Sequence, residues 1–484
     1  MMSIFHVSRM RVAFLASLVI VWFASGPAAA VDISGWDSLF AFHYDYTLEE
    51  TAALQRDNEP VEITLSVPAD PPRPWQEHIR VVRLEGKGQG VVVPYQLIGE
   101  VRSRSQVELG NERSGETPTA APVESVNIVF LASCPKRRNV TYRLFWGLPA
   151  GNETPKTNLP GAVERNGLRI RGVMPSLEVS NEYYAVRLDD KSGAIATARL
   201  SDSPEADTMS FAQKPPIHFG VDAWSPPEGW DHDYDWLAPP NQRCDSGPIA
   251  LRYHRWGPLQ KYPDLIVSIT YTFYAHVPYV VVSSTMEFTA ARSARAVRMG
   301  EIVVSHTHKE GPNDKDADGK FNDVFTHYAW PDGDGVSRVE VNAHRDAEGS
   351  ANLEGVAPGA LAILDRDVPW VAGYHAARGY GLASLRKSQF AGNRLGNPIP
   401  QAVQCTYLAN YGWGFTYWSR PMVYPFGARQ TAEDQNTAIA PGTIFATEEA
   451  LLFFKPDAEF VGVREVHRRF VEPLRLRFRG AGPW

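Results

Sequence analysis

The sequence predicts an all-β protein: a small N-terminal β-barrel or sandwich followed by a large antiparallel β-supersandwich, with few helices. Three observations predict it. Apolar and polar residues alternate over many short segments, as in Val61, Ile63, Leu65 and Val67 against Glu62, Thr64 and Ser66, which places one face in a core and one in water. Clusters of Gly, Pro, Asn and Asp punctuate these segments, and only two stretches carry a helical signal. The aromatic supply of 13 Trp, 19 Tyr and 22 Phe suits broad sheet cores and also the stacking of flat apolar surfaces such as sugar faces.

Taken in order, the chain begins as an export signal. Arg9 and Arg11 precede an apolar run of 13 residues, Val12 to Ala24, too short for a bilayer span of about 20. Ala28, Ala29 and Ala30 offer the small residues of a cleavage site. A mature protein starting near Val31 is expected, secreted or periplasmic, with no membrane anchor. Thr47-Leu48-Glu49-Glu50 reads as a capping box opening a helix that ends at Asn58 and Pro60. Strands are then expected at 61–67, 78–84, 90–98, 125–132 and 139–146, with a polar loop over 101–122. The stretch 149–160 (PAGNETPKTNLP) has linker composition, so the first β domain is placed at 31–160 and the second at 161–484.

The second domain opens with strands at 168–172, 177–180, 183–189 and 194–200, the last two joined by Asp189-Asp190-Lys191-Ser192-Gly193 as a turn. Two long strands, 264–275 and 279–289, follow, then 297–305, 336–342, 360–364, 379–387 and 449–455. A terminal helix is expected over 457–471, with Phe460, Val463, Val466 and Phe470 on one stripe. The net charge of −7 and the absence of a Lys/Arg stripe exclude nucleic acid as a partner. Cys134, Cys244 and Cys405 are too widely spaced for a metal motif.

Several segments resemble carbohydrate-active proteins of the galactose-mutarotase-like supersandwich. They are "LEVSNEYYAVRLDDKSGAIATARL" (177–200), "DSGPIALRYHRWG" (245–257) and "LIVSITYTFYAHVPYVVVSSTMEF" (265–288). The first domain, ending in "VTYRLFWGLPAG" (140–151), resembles the N-terminal barrel of exo-acting rhamnogalacturonan lyases. The resemblance implies that fold and a polysaccharide or oligosaccharide partner. It rests on strand patterns, carries over no catalytic residue, and finds no counterpart here to the third, α/α-toroid domain of those lyases.

The residues themselves suggest several sites. Asp314, Asp316 and Asp318 alternate, Gly319 turns the chain, and Asn322 and Asp323 follow, a donor set for Ca²⁺. Position 12 of such a loop is Phe325 rather than Glu, so a free-standing loop is expected, not a helix–loop–helix. His306 and His308 share a strand face, and His327 with Tyr328 follows the acidic loop; these suit a transition metal or acid–base work. Trp230-Asp231-His232-Asp233-Tyr234-Asp235-Trp236 offers carboxylates on one side and aromatics, Trp236 included, on the other. Tyr253-His254-Arg255-Trp256 is a further cluster. The run 407–424 contains Tyr411, Trp413 and Trp418 as sugar platforms and Arg420 as a uronate partner.

Three functions fit this reading. A polysaccharide lyase would cleave a uronate-containing glycan by β-elimination, with Arg420 or Ca²⁺ neutralising the carboxylate. His306, His308 or His327, with Tyr253 or Tyr328, would move the protons. A glycoside hydrolase or epimerase would use carboxylates such as Glu287 or Glu301. A non-catalytic glycan-binding or surface protein is the third.

Overall fold

The structure, a computed structural model, describes residues 30–67, 79–102, 123–147, 167–203, 208–210, 219–225, 227–294, 296–305, 325–340, 360–364, 368–398, 406–411, 415–423 and 437–483. The described residues form antiparallel sheets with one α-helix. Period-2 alternation is the local cause, and burial follows it. In Ala250–Pro258, for example, Leu251, Tyr253 and Arg255 are buried while Arg252, His254 and Trp256 between them are partly exposed.

Two sheets build the N-terminal lobe. The first runs Val31–Asp32, Gln89–Val93, Ile79–Gly86, Asn139–Trp146, Phe42–Glu49, Arg475–Pro483. The second runs Arg56–Ser66, Val123–Cys134, Tyr95–Arg102. The strand expected at 90–98 divides at Pro94, which lacks the N–H a continuous ladder needs, and its halves join different sheets. Their inner faces share one core around Leu48, Ile63, Leu65, Ile128, Phe130, Tyr142, Leu144 and Trp146.

The helix expected from Thr47 is a correction. Thr47 is the sixth residue of strand Phe42–Glu49, in which Tyr46 and Leu48 enter the core. The apolar alternation of Phe42, Tyr44, Tyr46 and Leu48 outweighs four capping residues with no packed helix behind them. Glu50 instead accepts the Ala52 and Arg137 backbone N–H groups at 2.9 and 3.1 Å and lies 3.6 Å from Arg56.

The larger lobe is a sandwich. A nine-stranded sheet runs Asn241–Ser246, Ala250–Pro258, Leu265–Tyr274, Tyr279–Phe288, Thr443–Phe454, Tyr380–Asn393, Trp370–His375, His327–Asp332, Gly335–Glu340. A five-stranded sheet spans Arg169 to Ser210, and a six-stranded sheet carries Ala296–Ser305, Thr406–Tyr411 and Phe415–Val423. The main core lies between these layers, drawing Val186, Tyr253, Ile269, Val282, Met299, Tyr328 and Phe453 together. The Asp189–Gly193 turn forms as expected: Asp189 Oδ1 accepts from Ser192 N at 2.7 Å, and Gly193 takes φ +69°. A Cβ at Gly193 would clash with the Tyr253 hydroxyl, so glycine is required for packing as well as conformation.

The helix Val461–Val471 covers one end of the nine-stranded sheet's outer face, burying Val463 and Phe470 against Ala383, Leu385 and Leu452. The chain then returns to the first lobe as Arg475–Pro483, paired with Phe42–Glu49. A second contact couples the lobes: Gln96 bonds the backbone of Ile249 and Ala250 at 2.8 to 3.0 Å.

Candidate functional site

The end of that outer face left open by the helix is polar. Five strands meet there in register. His254 stands opposite Arg243 on one side and Thr270 on the other; Thr270 faces Ser283, and Ser283 faces Glu448. One step along, Trp256 faces Ser268, Ser268 faces Thr285, and Ala446 leads to Phe390. Alternation puts these side chains on the side away from the core, because their neighbours Tyr253, Ile269, Val282 and Phe445 are in it. The result is a field of hydroxyls with an indole at one end and a phenyl at the other.

His254 and Trp256, both half-buried, stack with ring centroids 4.3 Å apart and planes at 20°. His254 Nε2 is 2.8 Å from Ser268 Oγ. Burial first, and the Arg243 charge second, hold the imidazole pKa below its ordinary value, so the ring is neutral at pH 7. Arg243 is anchored by Asp245, with Nε and Nη2 at 3.1 and 2.9 Å from Oδ1. Further along, Lys387 pairs with Glu448 at 2.9 Å and Arg394 pairs with Glu287. Glu287 faces Ile444, four residues from Glu448 on the neighbouring strand, so the two carboxylates are about 14 Å apart at the backbone.

Alternation separates the residues of 253–256. Tyr253 points into the core, its hydroxyl 2.9 Å from Gln242 Oε1, and burial raises its pKa. Arg255 is fully buried, paired with Asp233, 3.0 Å from the Tyr271 hydroxyl and 5.4 Å from the centroid of Trp236. Trp236, expected as a sugar platform, is 2% exposed and donates to the Pro258 carbonyl at 2.9 Å. Asp231 accepts the Lys261 backbone N–H, and His232 Nδ1 is 2.9 Å from Asp235 Oδ2. The stretch 231–236 is thus a packed corner of the sandwich.

His327 and Tyr328 also diverge. Tyr328 enters the main core, fully buried. His327 lies toward the far edge of the sheet, stacked on Tyr374 at 5.1 Å and bonded to Thr326 Oγ1 at 2.9 Å, with its pKa lowered by burial. Tyr411, Trp418 and Arg420 belong to strands Thr406–Tyr411 and Phe415–Val423 of the six-stranded sheet, Arg420 opposite Met299. His306, His308, Trp413 and the loop bearing Asp314, Asp316, Asp318, Asn322 and Asp323 lie outside the described residues. Among the described residues no three metal-ligating side chains gather, and no helix is long and apolar enough to cross a membrane. Cys134 and Cys244 are free thiols.

No protein-family model matches the chain, and no curated protein does. Solved structures do. An α-mannosidase from Enterococcus faecalis V583 is similar over 90% of this chain and 46% of its own, at 11% identity and TM-score 0.51. A protein in the glycosyl hydrolase family 38 from Enterococcus faecalis covers 90% of this chain at 10% identity and TM-score 0.46. A galactose mutarotase-like protein from Lactobacillus casei ATCC 334 covers 59% of this chain and 100% of its own at 8% identity and TM-score 0.30. The chain spans less than half the length of the two Enterococcus proteins. At such identity the likeness to the α-mannosidase shows the fold and nothing finer.

Proposed function

We propose that the chain is an exported carbohydrate-active protein that seats a uronate-containing polysaccharide across the open outer face of the nine-stranded sheet and cleaves it by β-elimination. One observation carries the reading: a neutral imidazole, His254, held between a half-exposed indole and a guanidinium on an otherwise hydroxyl-lined surface. Trp256 supplies a flat apolar surface for a sugar ring. Arg243 neutralises the uronate carboxylate, which acidifies the adjacent C5–H. In the tautomer whose Nε2–H donates to Ser268 Oγ, the His254 lone pair is on Nδ1, which takes the C5 proton. The C–H electron pair becomes the C4=C5 double bond, the C4–O bond breaks, and the imidazolium returns its proton to the departing oxygen. A hydrolase using Glu287 with Glu448 fits less well, because each carboxylate is already held in an ion pair, Glu287 by Arg394 and Glu448 by Lys387.

The test is incubation of the mature protein with polygalacturonate and related uronate polymers, following the ultraviolet absorbance of unsaturated uronate. His254→Ala should lower the rate by ~10²–10⁴-fold, and Trp256→Ala should raise KM with a smaller effect on kcat. Binding without absorbance would leave a glycan-binding protein; neither binding nor absorbance would remove the proposal. The same reading keeps Ca²⁺ on the 314–323 loop as a second positive charge, and an unchanged melting temperature in EDTA would remove that part.

A further inference from the structure

Among the described residues, the two sheets of the N-terminal lobe do not close on each other at one seam. Among the described residues, Arg475–Pro483 pairs only with Phe42–Glu49, and Arg56–Ser66 pairs only with Val123–Cys134. A cavity of about 330 Å³ opens between these two strand edges, lined by Tyr44, Tyr46, Phe478, Leu476, Thr64 and Ser66 among others. Phe478 is 58% exposed although its ring lies 5.7 and 6.1 Å from those of Tyr46 and Tyr44. A side chain that a closed barrel would bury is therefore left at a wet rim, beside Leu476, itself 39% exposed.

The rim is cationic. Arg475, Arg477 and Arg479 are all exposed, and alternation puts Arg475 and Arg477 on the outer side of the edge strand, opposite the groove residues Leu476 and Phe478. Arg477 is engaged by Glu49 at 2.9 Å, whereas Arg475 and Arg479 have no carboxylate partner among the described residues. The exposed turn Lys136, Arg137, Arg138 lies beside the same strand end, since Glu49 faces both Arg475 and Asn139.

We propose that this seam is a second glycan-binding groove, distinct from the outer-face platform, which takes a segment of an anionic polysaccharide. A polysaccharide lying along this open edge stacks sugar rings on Phe478 and Tyr44 from the groove side, meets Thr64 and Ser66 with its hydroxyls, and turns its acid groups outward over the edge strand to Arg475 and Arg479. The rim strand is a poor template for an extended peptide: its register shifts at Arg479, which lies between the Asp45–Gly480 and Tyr46–Phe478 pairs, and it ends in Pro483. A bulge and a proline are devices that blunt strand addition. Two sites on one chain would raise the avidity for a polymer over that for a short oligosaccharide.

The experiment uses the mature chain carrying Trp256→Ala, His254→Ala and Arg243→Gln, so that the platform's stacking surface and its cation are both removed, and measures retention on polygalacturonate and on neutral dextran. Polygalacturonate alone should retain it, with retention falling as salt rises. Phe478→Ala should weaken retention about tenfold, and Arg475→Gln with Arg479→Gln should flatten the salt dependence. Both changes lie at exposed positions, and an unchanged melting temperature confirms that each variant is folded. Equal retention on dextran, or retention unmoved by both variants, overturns the proposal. So does displacement of the polysaccharide by an extended apolar peptide that protects the Arg475–Pro483 amides from exchange.

Discussion

Arg255 carries a positive charge into the sandwich core, where Asp233, the Tyr271 hydroxyl and the Ser192 and Asp233 carbonyls receive it. Such a pair need not add stability over an apolar one, but breaking it strands a charge. Asp233→Ala should therefore lower the unfolding free energy by about 3–5 kcal/mol in urea titrations, and the double change with Arg255→Met should restore much of it. Titration at single residues has a definite sign as well. Burial lowers the pKa of His254, His327 and His467 from 6.5, so the unfolded chain takes up protons before the folded one. Stability is then fullest above about pH 6.5 and declines as pH falls through the depressed folded values. A urea midpoint that rose between pH 7.5 and 5.5 would contradict this assignment.

Single elements show how local chemistry and packing divide the work. The helix Val461–Val471 starts from Phe460 in the left-handed region, with φ +53°. Asp457 supplies the cap, accepting Val461 N at 2.9 Å and Gly462 N at 3.1 Å. Burial pushes this carboxyl upward, but the backbone donors outweigh it and hold the pKa below 3.8. Asp457→Ala should cost about 1 kcal/mol, with a contribution present above pH 3.8 and lost as acid titrates the carboxyl. The apolar stripe announced this helix in the sequence. The false helix at Thr47 shows the limit of such signals, because a capping box describes only how a helix would begin. Whether Thr47 extends or coils depends on what Tyr46 and Leu48 pack against.

Across the whole molecule, the chain's end ties its two lobes together. Arg475–Pro483 completes the first sheet, and Arg56 reaches the helix terminus, its guanidinium 2.6 Å from the Glu472 carbonyl and 3.2 Å from that of Arg469. Removing residues 475–483 uncovers strand Phe42–Glu49 and the apolar surface beneath it. Calorimetry of the truncated chain should show the N-terminal lobe melting separately and earlier than the sandwich, where the intact chain gives one transition. A single transition at the intact temperature after truncation would show that this coupling does not matter.

By itself the sequence determined that this is a sheet protein, where most of its strands run and which stripe of its terminal helix is apolar, because alternation and helical stripes are written within ten or so neighbouring residues. Only the tertiary structure decided which side meets water where aromatic and charged residues alternate with no plain apolar face. The adjacent residues Tyr253, His254, Arg255 and Trp256 look equally available as a string, yet the second sheet buries the first and third and leaves the others on the open face. It also decided that the last strand belongs with the first lobe. That pairing joins residues more than 400 positions apart, and a contact of that range leaves no periodic trace in either segment.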